Sequence, residues 1–182
     1  MKNPYQKTAK FYSKAVNLYI HRSGDYISLC DGCSAIRVHV AAYDSFFRPV
    51  SGVFVPLADG EKAYKAQDDK IASITPRGID IEKTFSDFFV KRSGSVAVSP
   101  FLMEFSRDGK KKEYIRIFTG PGFYVGINEN YYAIAFENGF TSFESCGNGS
   151  RGAITAESGE NKMIVLPINM NQEAIKEFVN VL

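Results

Sequence analysis

Tyr26-Ile-Ser-Leu-Cys-Asp-Gly-Cys-Ser-Ala-Ile-Arg-Val-His-Val40 reads as two period-two runs around an Asp-Gly step. Alternating apolar residues flanking Asp-Gly are the pattern of a β-hairpin closed by a two-residue turn. With Cys30 opposite Cys33, Ile27 faces Ile36 and Leu29 faces Ser34. Ile27, Leu29, Ile36, Val38 and Val40 then line the core face. Tyr26, Ser28, Arg37 and His39 fall on the other. This hairpin sets the fold class, because the strands that follow are also short and joined by turns rather than by crossover helices. The expectation is an α+β fold with antiparallel sheets and a repeated helix-plus-strands rhythm.

Upstream of the hairpin, an apolar stripe of Phe11, Ala15 and Leu18 with Tyr12, Val16 and Tyr19 predicts a helix from about Tyr5 to Ile20. Downstream, residues 42–48 predict a short helix and Val53–Leu57 a short strand. The polar stretch from Asp59 to Pro76 reads as a surface excursion. It divides one compact domain, 1–182, into halves 1–76 and 77–182. The second half predicts a helix over Asp80–Lys91, strands over Val96–Phe105, Glu113–Phe118 and Phe123–Ile127, and a helix capped by Asn128 and stopped by Asn138-Gly139. Strands follow over Phe140–Ser145, Ala153–Ala156 and Met163–Ile168. Asn171 caps a last amphipathic helix with Ile175, Phe178, Val179 and Leu182 along one side.

Charge is unevenly placed. Lys2, Lys7, Lys10, Lys14 and Arg22 are cations in the first twenty-four residues, and no acid precedes Asp25. The whole chain carries only +2, so the remainder is net negative. Lys7, Lys10 and Lys14 share one helix face. Such a row suits a polyanion, most often nucleic acid, and is equally the ordinary solvated side of a surface helix. Arg107–Lys112, with Lys110, Lys111 and Lys112, is a second basic spot at a hairpin tip.

Motifs for catalysis are weak. Cys30-Asp31-Gly32-Cys33 spaces two cysteines as a redox pair does, but a hairpin tip lacks the helix N-terminus that activates such a thiol. Zinc needs further ligands, and Cys146, His21 and His39 form no second short-spaced pair. Gly147-Asn-Gly-Ser-Arg-Gly152 matches the dinucleotide fingerprint in letters, yet a strand follows it where that fingerprint opens a helix. No nucleophile elbow or metalloprotease motif occurs. The expectation is a protein without enzymatic activity or cofactor, located in the cytoplasm. No segment is apolar for long enough to span a bilayer.

Three stretches carry a family resemblance. Tyr26-Ile-Ser-Leu-Cys-Asp-Gly-Cys-Ser-Ala-Ile-Arg37 resembles the strand–TDGHRLA–strand hairpin of the bacterial DNA sliding clamp, the beta subunit of DNA polymerase III, with Cys33 in place of the His. Tyr124-Val-Gly-Ile-Asn-Glu-Asn-Tyr-Tyr132 is similar to that family's IGFN..Y strand-to-helix step. Met163-Ile-Val-Leu-Pro-Ile168 is similar to its closing VVMPM strand. The chain departs from the family in being too short for a clamp's three domains, and in carrying a helix after the last strand. The resemblance implies a clamp-like fold without enzymatic chemistry, and binding to DNA or to a partner in replication or a mobile element. It makes the Lys7/Lys10/Lys14 face, with Arg22, the natural phosphate contact. Clamp-type contacts carry no base readout, so binding would be sequence-independent and salt-sensitive. The alternative is a protein-interaction module in which Ile175, Phe178 and Leu182, or a sheet edge, dock a partner.

Overall fold

The computed structural model describes residues 3–65, 71–73, 80–106, 112–147 and 151–180. Antiparallel strands and short helices alternate along it, an α+β fold. The chain divides into two compact units. Residues 1–87 with 157–163 form one, and 88–156 with 164–182 form the other, so the division falls after Asp87 rather than at residue 76.

In the first unit, α1 (Pro4–Ser13) is followed by β1 (Leu18–Ser23), β2 (Tyr26–Cys30) and β3 (Ser34–His39). Then come α2 (Val40–Ala42), which runs into a π-turn over Tyr43–Phe47, β4 (Lys62–Lys65), β5 (Ile71–Ser73) and the start of α3 (Ile81–Val90). The sheet order is β5–β4–β1–β2–β3.

Asn3 opens α1 by accepting the Tyr5 N–H at 2.9 Å, and Pro4 sits at the first helical position, where its missing N–H costs nothing. The helix stops at Ser13, not Ile20. From there period two replaces period 3.6. Leu18 and Ile20 are buried while Tyr19 and His21 are only partly so, and β1 is paired on both sides, by β2 and β4. An apolar run such as Leu18–Ile20 satisfies either period, and the two ladders decide for the strand.

The corner between α1 and β1 is closed by Lys65. Its side chain is 5% exposed, and its ammonium donates to the carbonyls of Ser13 at 2.9 Å and Ala15 at 3.0 Å. Carbonyls at a helix C-terminus lack intrahelical partners and carry the negative end of the dipole, so a buried cation is favourable there. The stretch from Asp59 is therefore not purely a surface excursion, since Lys62–Lys65 is a paired strand. Val53–Leu57 is not a strand. Pro56 removes a donor, and side chains take its carbonyls instead: Tyr43 Oη donates to Val55 at 2.9 Å and Arg22 Nη1 to Leu57 at 2.7 Å.

The β2–β3 hairpin keeps its expected faces as far as His39, where Val40 leaves the strand to start α2, but not its register. Cys30 pairs with Ala35, Leu29 with Ile36 and Ile27 with Val38. Three residues, Asp31–Cys33, join the strands, and the Asp31 carboxylate shapes the turn by accepting from Cys33 N–H, Ser34 N–H and Ser34 Oγ, at 3.0, 2.7 and 3.1 Å. A shift of two preserves side-chain parity, so Ile27, Leu29, Ile36 and Val38 are all buried. Tyr43, Phe47 and Phe54 add a ring cluster to this core, edge-on or stacked with centroids 5.5–6.0 Å apart.

In the second unit, β6 (Arg92–Ser95), β10 (Phe143–Cys146) and β11 (Ala153–Ser158) pair in the order β11–β10–β6. A second sheet has the order β7 (Ala97–Ser106), β8 (Lys112–Gly120) and β9 (Phe123–Asn128). α4 (Glu129–Glu137) covers one face of it, where Phe118 meets Tyr132. α5 (Gln172–Asn180) covers the other, where Ile175 packs on Ile115 and Ile117. Asn128 caps α4 and Asn171 caps α5, accepting from Asn130 and Glu173 N–H. Gly126 is closely packed: a Cβ there would lie 2.7 Å from Met170 Sδ and 2.9 Å from Ile115 Cγ2, so those side chains would have to shift. β10 and β11 are paired with Cys146 opposite Ala153, so a strand follows the Gly147–Gly152 stretch, of which residues 148–150 lie outside the described residues. β12 (Asn161–Val165) ends short of the expected Ile168, which forms only a single bridge to Gly126.

Candidate nucleic-acid interface

α1 buries Thr8, Ala9 and Tyr12 and turns Lys7, Lys10 and Lys14 outward, all three exposed. Tyr12 anchors it through an Oη–Ser34 Oγ hydrogen bond of 2.8 Å, and Tyr5 stacks on Phe46 and accepts from Asn161 Nδ2 at 2.8 Å. Its first turn contains no acid. The row is therefore a rigid, outward cationic edge. Lys14 is the C-cap residue and retains helical backbone angles, so the face survives the shortening of the helix.

Arg22 does not belong to it. It lies on β1, where its Nη1 donates to Leu57 O at 2.7 Å and its Nε to Gly24 O at 3.2 Å. These bonds fasten the loop around residue 57, and Asp59 completes the fastening by accepting from Gly24 N–H at 2.6 Å. Lys112 is paired as well. Its ammonium is 2.9 Å from Glu104, whose carboxylate raises the lysine's pKa. Lys110 and Lys111 lie outside the described residues.

The expected partner-docking side of α5 is corrected in part. Ile175 is 0% exposed and belongs to the core with Ile115 and Ile117, because α5 turns its apolar stripe onto its own sheet. Phe178 is half-buried, and Leu182 lies outside the described residues.

The polar face of the first sheet assembles a network that sequence reading placed only in part. Lys62, His21, Ser28 and Arg37 occupy one transverse row across β4, β1, β2 and β3. Glu82, from the first turn of α3, accepts from Ser28 Oγ at 2.7 Å and lies 3.8 Å from Arg37. Arg37 stacks over the Tyr26 ring at 4.4 Å, and Glu160 beside the Tyr26 hydroxyl raises its pKa. Burial, then Lys62, lowers the pKa of His21, whose Nδ1 has no hydrogen-bond partner. Glu82, Asp80 and Asp59 pull the other way. Asp80 is held low chiefly by its bond from Lys83 N–H. Ser28 is fully buried, so this network does the work of joining α3 to the sheet and offers no accessible nucleophile.

The cysteines are free: Cys33 is exposed, Cys30 and Cys146 are buried, and burial raises both buried thiols. Cys146 Sγ donates to Phe88 O at 3.0 Å. A raised thiol pKa is the opposite of what a redox nucleophile needs. Among the described residues no group of three His, Cys, Asp or Glu is placed to hold a metal. None of the described helices is long and apolar enough to cross a membrane.

In the second unit, Arg116 is held on several sides. It forms a bidentate pair with Glu129 at 2.8 Å twice, donates to Ser99 O and Pro100 O at 3.0 and 3.1 Å, and stacks over Tyr132 at 4.7 Å. The two carbonyls sit where the β7–β8 ladder shifts register, so Arg116 replaces hydrogen bonds that the bulge removes. No protein-family model matches the chain, and no curated protein matches it.

Proposed function

We propose that this chain is a non-enzymatic, clamp-like binding protein that meets the DNA backbone, or a partner in replication or a mobile element, in the cytoplasm. The observation that carries this reading is the exposed Lys7/Lys10/Lys14 row on a helix anchored by its opposite side, in a segment free of acids. The hairpin and strand-to-helix stretches that resemble bacterial sliding clamps support it. So does the antiparallel α+β architecture. Contacts of this kind are sequence-independent and weaken with salt because releasing counterions into a more concentrated solution gains less entropy.

Fluorescence anisotropy with labelled oligonucleotides tests it. With three phosphates neutralised on duplex DNA, affinity should fall about 40-fold between about 50 and 200 mM salt. A Lys7/Lys10/Lys14→Glu triple variant that binds as tightly as the unaltered protein would sink the proposal.

A second reading is favoured by a separate observation. β7 is the outer strand of its sheet, and Phe101 and Leu102 on it are 43% and 39% exposed. Among the described residues no strand pairs with the far side of β7, and an apolar edge suits strand addition by a protein partner. Capture of a partner that is lost on Leu102→Lys, without any retained DNA, would favour this reading over the first.

A further inference from the structure

Phe11 occupies the seam of α1. At about 100° per residue, Lys7, Lys10 and Lys14 fall within roughly 60° of arc, and Phe11 lies about 40° beyond Lys7. It is one turn from Lys7 on one side and from Lys14 on the other, spacings at which helix side chains are neighbours. Its ring is half-buried and held edge-on to Tyr12, with centroids 5.5 Å apart at 86°. Tyr12 is itself fixed by Ser34. The cationic row therefore carries a positioned aromatic along its border.

Phosphates of a duplex need only the cations, because paired bases are stacked on one another and turn no free face outward. A partly exposed ring beside lysines adds affinity only where bases are unpaired and can stack on it. Basic grooves with aromatic platforms are how sequence-tolerant single-strand binders work. We propose that the α1 face selects single-stranded nucleic acid, with Lys7, Lys10 and Lys14 on the phosphates and Phe11 stacking a base. This rests on the nucleic-acid reading above and narrows it.

The test uses the full chain, labelled oligodeoxythymidylate and a labelled hairpin duplex of mixed sequence, at about 50 mM salt. The single strand should bind about tenfold more tightly than the duplex, and Phe11→Leu should remove that advantage while leaving duplex binding within about twofold. Preference for the duplex, or a Phe11→Leu variant that still prefers the single strand, overturns the inference and leaves the lysine reading standing. Binding to neither probe overturns both. The chain has no Trp, so Phe11→Trp adds a single reporter. Its emission should be quenched on adding oligodeoxythymidylate. Binding seen by anisotropy without quenching overturns the stacking role even if Phe11→Leu folds poorly.

Discussion

Lys65 and Lys10 belong to the same unit and serve the same helix in opposite ways. Lys65 is buried and donates to the carbonyl of Ser13, the last residue of α1, and to that of Ala15 just past it. Lys10 stands in solvent on the outward face. The first cation is part of the architecture, and the second is a displayed charge. Arg22, Arg37 and Arg116 side with Lys65, each bound to backbone carbonyls, a ring or a carboxylate. Formal charge alone does not distinguish these groups, so counting Lys and Arg overstates what a basic segment offers a ligand.

Substitutions break or sharpen the contrast. Lys65→Met keeps the stem and removes the ammonium, leaving the half-buried Ser13 and Ala15 carbonyls without this donor. We expect a loss of about 2–4 kcal/mol, read as a lower urea midpoint. Arg116→Lys forfeits the fork that holds Glu129 and the bulge carbonyls together, at about 1–3 kcal/mol by the same measurement. Arg22→Gln should cost about 1 kcal/mol and raise hydrogen exchange around residues 57–60.

His21 gives a pH signature. Its folded pKa lies below the ordinary 6.5, so the unfolded chain takes up the proton first as pH falls. Stability from this site is full above 6.5 and declines as pH drops through 6.5 toward the lowered folded value. Urea midpoints between about pH 7.5 and 5.5 should fall, and less so in His21→Gln. The smallest expected effect is that of Lys10→Met, within about 0.5 kcal/mol of the unaltered protein. A large loss at Lys10, or none at Lys65, would erase the distinction.

Much of the fold was legible because parity is robust. Ile27, Leu29, Ile36 and Val38 face inward in either hairpin register. The register itself was hidden by Asp31, whose side chain builds a longer turn than Asp-Gly alone suggests. Asn128 and Asn171 were readable as caps because capping is local. β1 was not readable as a strand, because its identity comes from ladders to residues far along the chain. The lysine row was visible as spacing. The removal of Arg22 from it, the burial of Ile175 and the polar row under α3 depend on tertiary pairing that no local pattern encodes.

The Lys65 ammonium also makes this chain its own clock. An acylating reagent consumes exposed amines within its own reaction time, but it reaches the Lys65 nitrogen only when the α1–β4 corner opens. The lag before that one amine is modified therefore measures how often the helix bearing the lysine row lets go of the sheet, without a probe having been attached.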